Sequence, residues 1–197
     1  MKKAALGVLL LSCVVASGSP ITYTEQVVGA GSLGKSTFTN TLVTFVLEGD
    51  TSNIYSDAPG VFRNLGTATV TVAGIGAATF TDEMGFAAIQ AWPLAGIFDH
   101  TMADFGLLST IDPSLATYSL GTAIGPVSSQ AFWAPLSFPT TDGVFILNGT
   151  AAGISTFSAT TVPEPASVAL LSIGFASLIG CRCRRKRDAA ERRITRQ

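Results

Sequence analysis

Between Pro20 and Thr161 the chain has no cysteine; its three cysteines, Cys13, Cys181 and Cys183, lie close to the ends. A disulfide framework and a thiolate metal site are therefore excluded from this body, and no cysteine nucleophile is available to it. Histidine is almost missing as well. His100 is the only one, which excludes multi-histidine zinc sites. Positive charge is equally scarce: Lys35 and Arg63 stand against Glu25, Glu48, Asp50, Asp57, Asp82, Glu83, Asp99, Asp104, Asp112 and Asp142, a net of −8 over residues 20–161. A surface of that sign repels phosphate backbones and anionic lipid, so no nucleic acid is expected among the partners. No Gly-x-Ser-x-Gly elbow occurs, and no stretch of the body shows a sustained helical period with caps, although Met84–Ile89 is ambiguous.

What is present reads as β-structure. Thr67-Ala68-Thr69-Val70-Thr71-Val72 alternates threonine with apolar residues, a half-buried strand with Ala68, Val70 and Val72 inward. Thr41–Leu47 is rich in β-branched and apolar residues. Further strands are predicted at 21–28, 77–81, 86–91, 115–120, 144–147 and 154–161. Turn residues punctuate them at Glu48-Gly49-Asp50, Ala58-Pro59-Gly60, Asp112-Pro113-Ser114, Thr141-Asp142-Gly143 and Asn148-Gly149. Many short strands at this spacing predict an all-β body, an antiparallel β-sandwich or barrel. About 140 residues suffice for one domain with a real core. Segments starting at Gly66-Thr67-Ala68 and Gly149-Thr150-Ala151 each continue through Ala-Gly-Ile, which suggests a weak internal repeat. Residues 159–165 read as a linker.

The ends carry the strongest signals. Lys2-Lys3 precede an apolar run from Ala4 to Ala16 and small residues around Ala16-Ser17-Gly18, the pattern of a signal peptide over residues 1–18. An uncleaved first membrane helix is the alternative, and Leu10-Leu11-Ser12-Cys13 is loosely like a lipobox. At the other end, Val162-Pro163-Glu164-Pro165 precedes an uncharged run from Ala166 to Cys181 and then the basic cluster Arg182, Arg184, Arg185, Lys186 and Arg187. The prolines favour extended backbone before the apolar run. Sixteen residues as a helix span roughly 24 Å, short for a hydrocarbon core of about 30 Å, yet snorkelling and bilayer thinning allow a single transmembrane helix over 166–181. The cluster then keeps residues 182–197 as a cytoplasmic tail.

This tripartite tail, over residues 162–187, resembles the PEP-CTERM sorting signal of Gram-negative bacteria, with Pro163-Glu164-Pro165 matching its signature. The same kind of tail is sometimes labelled an ice-binding protein C-terminal domain, a label without functional content. The resemblance implies an exosortase-type membrane enzyme as processing partner, export through the Sec machinery, transient anchoring in the inner membrane, and delivery to the cell surface or extracellular matrix. It implies nothing about residues 20–161.

Within that body the candidate sites compete with plainer readings. Gly29-Ala30-Gly31-Ser32-Leu33-Gly34-Lys35-Ser36 satisfies the P-loop pattern, but phosphate binding needs a helix next, and Thr37–Thr44 favours a strand; a turn between strands is expected. Glu48, Asp50, Asn53 and Asp57 offer oxygen ligands for Ca²⁺ without the EF-hand pattern, so a solvated acidic turn is the competing reading and no metal or other cofactor is expected. His100, beside Asp99 and near Asp104, has the look of an oriented base or of a surface loop. Trp92 and Trp133, near Pro93 and Pro135, are read as core residues, the alternative being indoles that stack on sugars. Thr-x-Thr recurs at Thr22/Thr24, Thr37/Thr39/Thr41, Thr67/Thr69/Thr71 and Thr79/Thr81, and on strands would array hydroxyls about 6.6 Å apart. No enzyme activity is expected. The reading is an exported surface or matrix protein, with a carbohydrate- or calcium-binding module of the exopolysaccharide as the alternative.

Overall fold

Fourteen residues from Pro20 to Leu33 alternate between the two faces of one strand, with Ile21, Tyr23, Val27 and Leu33 among the buried set. That period of two is the signature of a strand with one face in a core and one toward water. The computed structural model describes residues 18–102 and 105–161. The signal peptide, the sorting tail with its apolar run 166–181, and Asp104 fall outside these, Gly18 apart. Among the described residues no helix is long and apolar enough to cross a membrane.

Eleven strands follow in order: β1 (Pro20–Leu33), β2 (Ser36–Asp50), β3 (Tyr55–Ala58), β4 (Val61–Val72), β5 (Gly76–Thr79), β6 (Met84–Ile89), β7 (Leu94–Asp99), β8 (Phe105–Ile111), β9 (Ile124–Trp133), β10 (Ser137–Thr140) and β11 (Gly143–Thr161). Eight of them form a closed antiparallel circuit, β1-β2-β4-β6-β7-β8-β9-β11, in which β11 returns to pair with β1. Closure removes the sheet edges that invite aggregation. The fold is a barrel, which decides between the two all-β architectures the sequence allows.

Strand β4 is the corner. Its first half, Val61–Gly66, pairs with β6, and its second half, Thr67–Val72, pairs with β2. Gly66 sits at the switch, where a Cβ would run into the Glu48 carbonyl oxygen, so only glycine lets the strands approach. Ala68, Val70 and Val72 are buried, as their alternation predicts. The ambiguous segment 84–89 is a strand buried along almost its whole length, which Gly85, Ala87 and Ala88 permit by being small.

The interior holds two aromatic groups. Tyr23, Phe86, Phe157 and Tyr118 form a chain with ring centroids 5.1, 5.7 and 5.7 Å apart. Phe38, Phe45, Phe80, Phe138 and Phe145 form the other, between the hairpin-tip halves of β1, β2 and β11 and strand β10.

Three predicted features come out differently. Residues 115–120 are not a strand: Pro113–Thr117 is a short 3-10 helix, with Asp112 as its cap accepting from the Ser114 N–H at 2.9 Å and Pro113 at its start. Leu115, Tyr118 and Leu120 are buried, so this β8–β9 connection packs into the barrel instead of joining its wall. Ala159–Thr161 is not linker, because β11 holds these residues in the ladder opposite Tyr23, Thr22 and Ile21. The suspected repeat is not structural either. Ala73-Gly74-Ile75 turns β4 into β5, whereas Ala152-Gly153-Ile154 lies inside β11 next to a register shift, although both glycines have positive φ.

Candidate functional site

The inward phase of β1 carries one residue that does not belong in an apolar barrel. Glu25 follows Tyr23 and precedes Val27 on the buried face, opposite Phe45 of β2 and Phe157 of β11, and is 0% exposed. Its Oε1 is hydrogen-bonded to the Thr110 hydroxyl at 2.7 Å. The Thr110 and Ser155 hydroxyl oxygens are 2.7 Å apart, and Ser155 Oγ donates to the Ser109 carbonyl at 3.4 Å. Oε2 has no partner. Burial pushes the carboxyl well above the usual range, against the opposing pull of the Thr110 and Ser155 hydroxyls. This set contains an acid and hydroxyls but no base, so it lacks the parts of a nucleophilic triad.

A second buried network lies next to it along β1. The Tyr23 hydroxyl donates to the Leu120 carbonyl at 2.9 Å and accepts from Asn64 Nδ2 at 2.9 Å, which also donates to the Asp50 carbonyl at 3.1 Å. Desolvation raises the Tyr23 phenol to about 12 despite the Asn64 bond, and burial raises Tyr118 further, helped by Tyr23. These bonds tie the β8–β9 connection to β1 and β4.

The outer wall is different in kind. Register sets Thr160, Thr22, Glu48 and Thr67 side by side across β11, β1, β2 and β4. The next row is Ser158, Thr24, Val46, Thr69 and Thr79, and the third is Thr156, Gln26, Thr44 and Thr71. None of these side chains is buried. Ser128 extends the third row with a 2.7 Å bond to Thr156, and Gln26 donates to Thr44 at 3.2 Å. Thr22/Thr24 and Thr67/Thr69/Thr71 therefore do share one hydroxyl-rich wall with Thr79, while Thr81 lies beyond β5 and Glu48 and Val46 of β2 interrupt the wall.

The remaining candidates disperse. Glu48 points outward on β2, and Asp50 caps the 3-10 turn Thr51–Asn53 by accepting from the Ser52 N–H at 2.7 Å and the Ser52 hydroxyl at 2.5 Å. Those two bonds hold the Asp50 carboxyl below its ordinary value. Asn53 is exposed, and Asp57 accepts from Arg63 Nε at 2.7 Å while the guanidinium lies 4.9 Å from the Phe98 ring centre. Among the described residues no cluster of three or more His, Cys, Asp or Glu is placed to hold a metal. Asp99 is buried and accepts from Thr101 N, Thr101 Oγ1 and Met102 N, closing its own turn, while exposed His100 stands edge-on to Phe98. The glycine-rich stretch 29–36 is a hairpin: Gly34, at φ 56°, and Lys35 turn β1 into β2, and no helix follows. Trp133 packs partly buried against the core, but Trp92 is 68% exposed in the β6–β7 turn, which corrects its core assignment.

Sequence reasoning missed Glu25, counting it with the surface acids. The signal was available, since it occupies the inward phase of Ile21, Tyr23 and Val27.

Residues 161–186 match the PEP-CTERM protein-sorting motif. The chain thus carries an exosortase sorting signal, which implies export and recognition by a membrane processing enzyme of that type. No curated protein and no solved structure matches the chain. The motif residues Val162, Pro163, Glu164 and Pro165, and the cluster Arg182, Arg184, Arg185, Lys186 and Arg187, lie outside the described residues. The match begins at Thr161, the last residue of β11.

Proposed function

We propose that this chain is a non-catalytic surface or extracellular-matrix protein of a Gram-negative bacterium, exported by the Sec machinery and released by an exosortase at its C-terminal tail. The observation that carries the reading is a sorting motif directly joined to a self-contained, acidic, cysteine-free barrel. A closed barrel needs no oxidising step to fold and exposes no long edge outside the cell. The tail anchors the chain transiently through residues 166–181, with Arg182–Arg187 as the stop, and the proline-bearing Val162–Pro165 strip is where a peptidase gains access. Intact-mass measurement of the surface protein tests this. The expected form lacks the signal peptide and residues 182–197 and ends near Pro163–Ala166; a mass that retains residues 182–197 makes the tail a plain anchor.

A second reading, binding to exopolysaccharide, is favoured by the hydroxyl-rich outer wall and by the exposed indole of Trp92, a group suited to stacking on sugar rings. Glycan-array binding that is reduced by Trp92→Ala or by Thr24→Val with Thr69→Val supports it, and silence across the array removes it. Its calcium variant rests on the acidic loop. Equal melting temperatures in Ca²⁺ and in chelator dispose of a strong site there.

A further inference from the structure

We propose that Glu25 is a proton-controlled latch: held as a neutral carboxylic acid, it ties β1 to β8 and β11 across the barrel interior and lets go when it ionises. The hydrogen-bond inventory carries this. If Glu25 is ionised, Thr110 must donate to Oε1. Ser155 must then donate to Thr110, because each hydroxyl has one proton. The Ser109 carbonyl loses its donor, and a full negative charge lies buried with Oε2 unpaired. Such a state is costly in a low-dielectric interior.

If Glu25 is neutral, the same distances are satisfied by one directed chain. Glu25 Oε1–H donates to Thr110, Thr110 donates to Ser155, and Ser155 donates to the Ser109 carbonyl. Three protons meet three acceptors, and Oε2 remains only as an uncharged carbonyl oxygen. The network closes in the protonated state and opens in the ionised one.

Beyond the Thr110 and Ser155 hydroxyls, the surroundings offer the carboxylate no opposite charge, and Oε2 has no partner. Phe45 faces Glu25 from β2 and Phe157 from β11, with Ser155 beside it; β8 contributes Ser109 and Thr110. Along β1 the inward neighbours are Tyr23 and Val27, and the Tyr23 proton is committed to the Leu120 carbonyl. Tyr23 is the only titratable group in this set, and its phenol is neutral at physiological pH. The proton affinity of Glu25 is raised first by burial, with no charged neighbour among its causes.

The sign follows from linkage. A folded-state pKa above the ordinary 4.5 means that the folded chain binds the proton more tightly than the unfolded chain does. The latch's contribution is complete below that value and declines as pH rises toward the folded-state pKa, by up to tenfold in the folding equilibrium per pH unit. The barrel is therefore loosened by alkali through this one interior group.

The test compares thermal melts of the full chain in detergent with those of Glu25→Gln, whose Nε2–H can donate to Thr110 and whose charge does not change. The melting temperature of the wild type should fall relative to the variant as pH rises from about 4.5 to 8. Parallel curves over that window overturn the proposal. Thr110→Ser should keep the pH slope, because it keeps the hydroxyl. Infrared spectroscopy at neutral pH reads the same group directly in the wild type. A protonated-carboxyl band should persist there, survive Asp99→Asn, and vanish in Glu25→Gln. Absence of that band from the wild type also overturns the proposal.

Discussion

Truncating Phe145 to alanine should cost about 3–5 kcal/mol of stability. Phe145 is fully buried on β11, opposite Phe138 of β10 and Leu33 of β1. Its ring meets Phe45 edge-on at 5.5 Å and Phe80 edge-on at 6.3 Å, and stacks with Phe38 at 6.2 Å. Burying a phenylalanine side chain contributes about 1.5–3 kcal/mol, and each aromatic pair adds about 0.5–1.5 kcal/mol. With three pairs the sum is about 3–7.5 kcal/mol, and its lower half covers the range known for such truncations. Because a domain commands only about 5–15 kcal/mol, Phe145→Leu is the practical companion variant. Urea unfolding followed by tryptophan fluorescence should show a lower midpoint with an unchanged slope. Phe132→Ala is the control, since Phe132 is 57% exposed on β9 and its loss should stay within about 0.5 kcal/mol. A Phe145→Ala cost under about 1.5 kcal/mol, or equal costs at both sites, refutes the claim that this aromatic cluster holds the hairpin-tip half together.

Two further perturbations probe the turns. Gly34→Ala should lower stability by at least about 1 kcal/mol, because φ is 56° there and the new methyl meets the Asp142 carbonyl oxygen; an unchanged melting temperature refutes it. Asp50→Ala should lower the melting temperature at neutral pH. The depressed Asp50 carboxyl contributes above its unfolded value of 3.8 and loses that contribution as pH falls through its lower folded value, so the difference from wild type should shrink in acid.

Much of the fold was readable where the period of two was clean. Thr67–Val72, 21–28 and 154–161 are strands because their apolar residues alternate, and the glycine-rich stretch 29–36 reads as a hairpin because Thr37–Thr44 cannot supply a helix. The strands from Leu94 to Thr140 escaped because they alternate poorly. β7 is buried along nearly its whole length, and β9 carries exposed Phe132 on its outer face. Residues 115–120 misled for the opposite reason: Leu115, Tyr118 and Leu120 are apolar to fill the barrel, and the helix start at Asp112-Pro113 outweighed their strand-like look. The tail was legible in full as a motif, since its chemistry lies in order and charge rather than in packing. Glu25 was hidden because charge was counted before phase was assigned.

The pairing of β1 with β11 has a consequence for how the molecule comes into being. The strand that emerges first is completed only by the strand that emerges last, some 120 residues later, so closure is a contact of the longest range this body allows. Such contacts are slow, because the loop entropy is spent before the contact repays it. During vectorial export, β1 and β9 must each wait with one hydrogen-bonding edge open. The missing partner arrives with Thr161, the residue at which the sorting motif begins. Completion of the barrel and presentation of the tail are thus one event in time, and the enzyme that recognises the sorting motif meets a chain that has only then become able to fold.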